Sequence, residues 1–271
     1  MSAQLAAMPD PAPAMALEVR DVAVHFNGLV AISRMTFAVP EGSIVSLIGP
    51  NGAGKTTAFN VITGFLKPTA GKVLYRGTDL THLSPDRIAA LGVVRTFQRT
   101  SIFGGCTVFD NVLTGLHLRG RAETWGALLR LPWVRGEEER LEQDAREILD
   151  FVGLDRRADE LAGNLAYGEQ RLLGIAIALA AAPKVLLLDE PAAGLNPSET
   201  GEFMKVVKRI RDRGVTVLLV EHDMRMVMSI SDLVVVLNHG RIIAEGPPAA
   251  VQNDPEVIRA YLGEGVKRAE G

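Results

Sequence analysis

The spacing of apolar positions changes several times along this chain, and each change predicts a different element. From Leu17 to Pro40 apolar and polar residues alternate (Val22, Val24, Phe26), broken at Asn27-Gly28, which predicts short strands joined by a turn. Gly71–Thr81 predicts a further hairpin strand. Three runs are instead almost continuously apolar: Ile44–Ile48, Val185–Leu188 and Val215–Val220. Strands buried on both faces have this pattern, so these runs are expected in a parallel core sheet. Leu233–Leu237 and Arg241–Ala244, around Asn238-His239-Gly240, predict one more hairpin.

Between Gln98 and Asn164 the spacing becomes helical. Glu137–Val152 places Leu141, Ala145, Ile148, Leu149 and Val152 along one face of an acidic helix. Ahead of it, the segment Trp125–Trp133 carries both tryptophans. They belong either to the core of a helical subdomain or to a contact surface.

Composition narrows the picture. With 271 residues, 47% of them hydrophobic, the chain can build one α/β domain or a domain with a subdomain. A net charge of −3 gives no general basic field, so nucleic acid is not expected as a partner. The lone Cys106 excludes an internal disulfide, suits a reducing compartment and is expected to pack as a small apolar residue. Met1–Ala14, rich in Ala, Met and Pro, lacks the basic start and continuous apolar stretch of a secretory signal and is expected to be a disordered tail. The longest apolar stretch, Leu172–Ala182, is interrupted by Gly174 and stops at Pro183, short of the ~20 residues that span a bilayer. A soluble protein is expected, able to dock onto a membrane partner.

The chemistry starts at Gly49-Pro50-Asn51-Gly52-Ala53-Gly54-Lys55-Thr56-Thr57, which fits G-x-x-x-x-G-K-[ST] between a strand and a helix. Gly49, Gly52 and Gly54 permit the backbone angles and close approach that wrap N–H groups around phosphates. The helix that follows presents free N–H groups and a dipole to an anion. Asn51 to Thr57 are therefore candidate nucleotide contacts. Lys55 is expected to reach the outer phosphates, and the Thr56 hydroxyl to hold Mg²⁺.

Val185-Leu186-Leu187-Leu188-Asp189-Glu190 is an apolar strand ending in two carboxylates, the arrangement a second Mg²⁺-binding element requires. Neighbouring residues on a strand point opposite ways, so Asp189 is assigned to the metal and Glu190 to an attacking water as general base. His222 ends the next apolar strand and is expected on the same sheet edge. Phe26 is either a core residue or a platform for an adenine ring.

Together these motifs resemble the ATP-binding-cassette (ABC) ATPases, from about Leu17 onward. The decisive segment is Leu165-Ala166-Tyr167-Gly168-Glu169-Gln170-Arg171, similar to the family's L-S-G-G-Q element at a helix start. The resemblance implies a P-loop NTPase fold: a RecA-like parallel sheet core with an antiparallel β subdomain and an inserted α-helical subdomain. It implies boundaries at 1–16 (tail), 17–97 (nucleotide-binding core with the β subdomain), 98–164 (helical subdomain) and 165–271 (the rest of the core and a C-terminal extension). It adds Gln98 as a residue serving both metal and catalysis, and His222 and Lys55 as stabilisers of charge in hydrolysis. Ala166, Tyr167, Gly168 and Glu169 would cap the γ-phosphate of ATP held by a partner subunit.

Four positions depart from the family pattern: Ala166 for Ser, Tyr167 for Gly, Glu169 for Gln and Asn196 for Asp. Within the family, the Leu165 element, Asp189–Asn196, Val220–Met224, the tryptophan-containing insertion and Val257–Gly263 resemble the high-affinity branched-chain amino acid importers and their relatives for urea or amides. That branch implies ATP and Mg²⁺ as cofactors, and a second homologous ATPase subunit in a heterodimer, or a homodimer. It implies two membrane-spanning permease subunits, a periplasmic solute-binding protein acting indirectly, and a peripheral position on the cytoplasmic face of the bacterial inner membrane. A lipopolysaccharide-type exporter ATPase and a soluble non-transport cassette are the alternatives; the insertion argues against the first, and a single cassette without a long coiled coil against the second.

Overall fold

A computed structural model describes residues 14–96, 102–117 and 132–261. Strands β1 (Met15–Phe26) and β2 (Leu29–Pro40) form an antiparallel pair joined at Asn27-Gly28. Strand β3 (Ile44–Ile48) is wholly buried and runs into the glycine loop and helix α1 (Lys55–Ile62). Strands β4 (Ala70–Tyr75) and β5 (Thr78–Asp79) form the second hairpin, with β4 lying against β1. Helix α2 (Pro85–Ala90) leads to β6 (Val93–Arg95). Helices α3 (Val108–His117), α4 (Pro132–Val152) and α5 (Tyr167–Ala180) pack on one another. Strand β7 (Val185–Asp189), helix α6 (Pro197–Asp212), strand β8 (Thr216–Val220) and helix α7 (Met224–Ile230) follow. Strands β9 (Leu233–Asn238) and β10 (Arg241–Gly246) make the last hairpin, before helix α8 (Pro248–Gln252).

Among the described residues the strands join one sheet in the order β5-β4-β1-β2-β10-β9-β3-β8-β7-β6. The run β9-β3-β8-β7-β6 is parallel, as its continuous apolar strands require. The arm β5-β4-β1-β2 is antiparallel, and among the described residues its ladder pairing with the core strands is Arg241 with Arg34. One face of the parallel strands (Leu186, Leu188, Val217, Leu219) shares an apolar cluster with Val112, Ala145, Leu149 and Leu173 of the helices. The opposite face (Val45, Leu47, Leu187, Leu218) packs on Ala58, Phe59 and Ile62 of α1 and on the arm. No helix among the described residues is long and apolar enough to cross a membrane.

The structure changes several expectations. Met15 and Ala16, placed in the tail by sequence, belong to β1, where Ala16 is buried. Pairing with Pro40 draws the strand out to that point. Cys106 is exposed, because the turn Phe103–Cys106 ahead of α3 directs it outward. The alternation in β1 is interrupted: Val19 pairs with Phe37 but Val22 with Met35, and the extra residue leaves Asp21 at φ 51°. That bulge resets which residues face the core. Phe26, beyond it, is exposed rather than part of the core. Gln98 and Trp125 lie outside the described residues, as does the side chain of Trp133.

Candidate functional site

The register of the parallel strands puts the predicted residues on one edge. Asp189 at the end of β7 is level with Val220 of β8, and Val220 is level with Leu47 of β3. The glycine loop after β3, the Asp189-Glu190 pair after β7 and His222 after β8 therefore leave the sheet side by side. Brought together are Asn51–Thr57, Asp189, Glu190 and His222.

The glycine loop is fixed by its surroundings. At Gly49 (φ 152°), an added Cβ would lie 1.9 Å from the Leu237 carbonyl oxygen of β9, so only glycine lets the loop leave the strand this way. Lys55, 8% exposed, donates to the carbonyls of Gly49 at 2.6 Å and Pro50 at 2.9 Å, which draws its ammonium across the loop. Gly54 caps α1 without a side-chain acceptor, so the N–H groups of its first turn have no side-chain cap and suit an anion. Ala53 is buried, whereas Asn51, Gly52 and Thr56 are exposed and Thr57 half-buried.

Asp189 is fully buried, and its Oδ2 accepts from Arg95 Nη2 at 2.5 Å. The other oxygen, Oδ1, is buried without a hydrogen-bond partner. An orphaned carboxylate oxygen of this kind fits a divalent cation, and with the exposed Thr56 it supplies the oxygen donors Mg²⁺ prefers. Arg95 also donates through Nη1 to Asn60 Oδ1 of α1 at 2.7 Å, so one guanidinium links α1 to β7. Glu190 has left-handed backbone (φ 45°), uncommon for a non-glycine residue, and its N–H donates to the Val220 carbonyl at 2.9 Å. His222 is 60% exposed in its side chain, free to meet a ligand.

Sequence reasoning missed Arg95 and Glu221. Arg95 sits in a strand of three residues, too short to announce itself. Glu221 looks like a surface acid, yet its side chain is fully buried and accepts from the Ala192, His222 and Asp223 N–H groups. Burial pushes its carboxyl above the usual carboxylate range, with those amides and His222 acting against the rise. A charged residue in an otherwise apolar strand end was the available signal.

The Leu165 element opens α5. Ala166, at the N-cap, has no acceptor; its own N–H donates to Glu169 Oε2 at 3.1 Å. Half of a capping box is thus present, and the remaining first-turn N–H groups lack a side-chain cap. Tyr167 is 44% exposed, accepts from Arg171 Nη2 at 2.5 Å, and covers Gly194, where a Cβ would come within 3.0 Å of its ring. Gly168 lies against Glu199 of α6.

A strand-loop-helix phosphate cradle, a level acidic strand end, a following histidine and a second uncapped helix start define an ATP-binding cassette, and the chain belongs to the ABC transporter family, whose model matches residues 32–193. Residues 241–267 match the model described as "Branched-chain amino acid ATP-binding cassette transporter". The chain is 45% identical over 249 residues (92% of it and 98% of the relative) to the high-affinity branched-chain amino acid transport ATP-binding protein LivG of Salmonella typhimurium. It is 44% identical, over the same shares, to BraF of Pseudomonas aeruginosa. Among solved structures, the ADP conformation of MJ1267, an ATP-binding cassette of an ABC transporter, superposes with TM-score 0.81 at 34% identity, covering 92% of this chain and 99% of that one. A nucleotide-free cassette superposes at TM-score 0.80 and 33% identity, covering 91% and 98%. The protein is an ABC ATPase.

Proposed function

We propose that this ATPase drives uptake of branched-chain amino acids, or of related amino acids, urea or amides, as one of two cassettes in an importer. The transport ATP-binding proteins it resembles along nearly their whole length support the solute class. In this reading it pairs with a second, homologous ATPase subunit, a homodimer being the other arrangement. The pair docks on two membrane-spanning permease subunits at the cytoplasmic face of the inner membrane and is fed by a periplasmic solute-binding protein.

The observation that carries the chemistry is the level edge of β3, β7 and β8, which gathers phosphate-binding N–H groups, two carboxylates and an imidazole. The loop Asn51–Thr57 holds the phosphates, and Phe26, exposed at the tip of the arm, stacks on the adenine. When bound, Mg²⁺ neutralises phosphate charge, with Asp189, Thr56 and Gln98 as the residues that hold it. Glu190 orients a water in line with the γ-phosphate and takes its proton as the bond to the β-phosphate breaks, releasing ADP and phosphate. Lys55 and His222 stabilise the charge that develops. The uncapped start of α5, from Ala166 to Glu169, supplies N–H groups to the γ-phosphate bound by the partner cassette. Gln98 carries the resulting closure towards the permeases.

Glu190→Gln tests this reading. The variant should bind ATP, lose turnover and accumulate as a dimer with its partner cassette in size-exclusion chromatography. Near-normal hydrolysis overturns the base assignment. Leucine uptake into vesicles containing the full transporter tests the solute, and uptake indifferent to this subunit overturns it.

A further inference from the structure

Glu221 is a buried charge that the chemistry above does not use. It lies one residue beyond β8, directly before His222, with its side chain 0% exposed. Its two oxygens serve different loops. Oε1 accepts from the Ala192 N–H at 2.7 Å, within the segment that follows Glu190. Oε2 accepts from the His222 N–H at 3.1 Å and faces the Asp223 N–H at 3.5 Å. The His222 Nδ1 stands 3.9 Å from the same Oε2.

A carboxylate in this place is costly, because burial disfavours its charge. Packing alone would be met by an apolar residue of similar size. What a carboxylate adds is two acceptor oxygens on one rigid plane, enough to hold two backbone segments at once. The segments joined are those that carry Glu190 and His222. Glu190 is also tied to β8 through its N–H bond to the Val220 carbonyl. The left-handed turn at Glu190 (φ 45°) directs the chain towards Ala192, where the carboxylate receives it.

We propose that Glu221 is a positioning residue for ATP hydrolysis: its carboxylate clamps the backbone after Glu190 to the backbone of His222, so that both groups meet the γ-phosphate at a fixed separation. It touches no nucleotide and acts through His222 and the Ala192 segment. The proposal rests on the reading that Glu190 and His222 work on the γ-phosphate.

The test compares Glu221→Gln, His222→Ala and the double variant in the full chain assembled with its partner cassette. Glutamine keeps the volume but has one acceptor oxygen and an NH₂ group, so it can serve only one of the two loops. Glu221→Gln should lower kcat about tenfold with KM for ATP within about twofold, a loss confined to the transition state. In the His222→Ala background the same change should lower kcat by a smaller factor than in the wild-type background, because the part of its effect that runs through His222 is already lost. Amide exchange in the full chain alone gives a second readout: Ala192 or His222 should exchange about tenfold faster in Glu221→Gln while β3 and β7 amides stay protected.

Equal losses in both backgrounds, a rise in KM with kcat intact, or unchanged exchange at both amides overturns the proposal. If the wild-type assembly neither binds nor hydrolyses ATP, the nucleotide reading itself fails, which is distinguishable because amide exchange is measured without nucleotide.

Discussion

Asp189 is neutralised by Arg95 of the sheet's edge strand, a residue no nucleotide motif contains. Removing one partner of a buried pair leaves an uncompensated charge. Arg95→Ala is therefore expected to lower stability by about 3–5 kcal/mol in denaturant titration; a change below about 1 kcal/mol means that water reaches Asp189 and the pair is not sealed. The unusual residues of the Leu165 element also find their explanation in contacts. Tyr167 fills the space over Gly194 and meets Arg171, while Glu169 satisfies the Ala166 N–H and pairs with Arg157 at 3.4 Å. Their residue types were legible in sequence, but not these partners.

Asn196 is best understood as part of its helix. Its Oδ1 accepts from the Ser198 and Glu199 N–H groups at 2.9 and 3.0 Å, and Glu199 Oε2 accepts from the Asn196 N–H at 2.9 Å. With Pro197 in the first turn, this is a complete capping box on α6. Asparagine caps as well as aspartate, so the departure from the family residue leaves the helix start intact. Asn196→Ala should cost about 1 kcal/mol of stability by thermal melting, and no loss would mean that Pro197 and packing alone set the start. The long periodic elements were readable: α4 buries Ala145, Leu149 and Val152 as its stripe requires, and the buried parallel strands announced themselves by unbroken apolar runs. The short β6 did not, since three residues carry no period. Nor did the bulge in β1, which depends on pairing with β2.

Across the whole molecule, the antiparallel arm and the parallel core meet at the turn between β9 and β10. The Gly240 N–H donates to the Ala53 carbonyl of the phosphate loop at 2.9 Å, and the Ser33 N–H of β2 donates to the Gly240 carbonyl at 3.1 Å. Gly240 has φ 72°, and a Cβ there would sit 2.6 Å from the Ala31 carbonyl oxygen. Gly240→Ala should cost about 2 kcal/mol or more and weaken ATP binding in parallel, measured by melting and by nucleotide titration. An unchanged melting temperature would mean that the arm moves freely on the core. The phosphate loop, the acidic strand end and the parallel core can be read along the chain, because each is written in neighbouring residues whose chemistry and periodicity are local. That Arg95 meets Asp189, that Glu221 joins two loops and that Gly240 braces the phosphate loop follows only from folding. The contacts of Glu221 with Ala192, Arg95 with Asp189 and Gly240 with Ala53 join residues 29 to 187 positions apart in the chain, brought together by strand order and register, which no local pattern encodes.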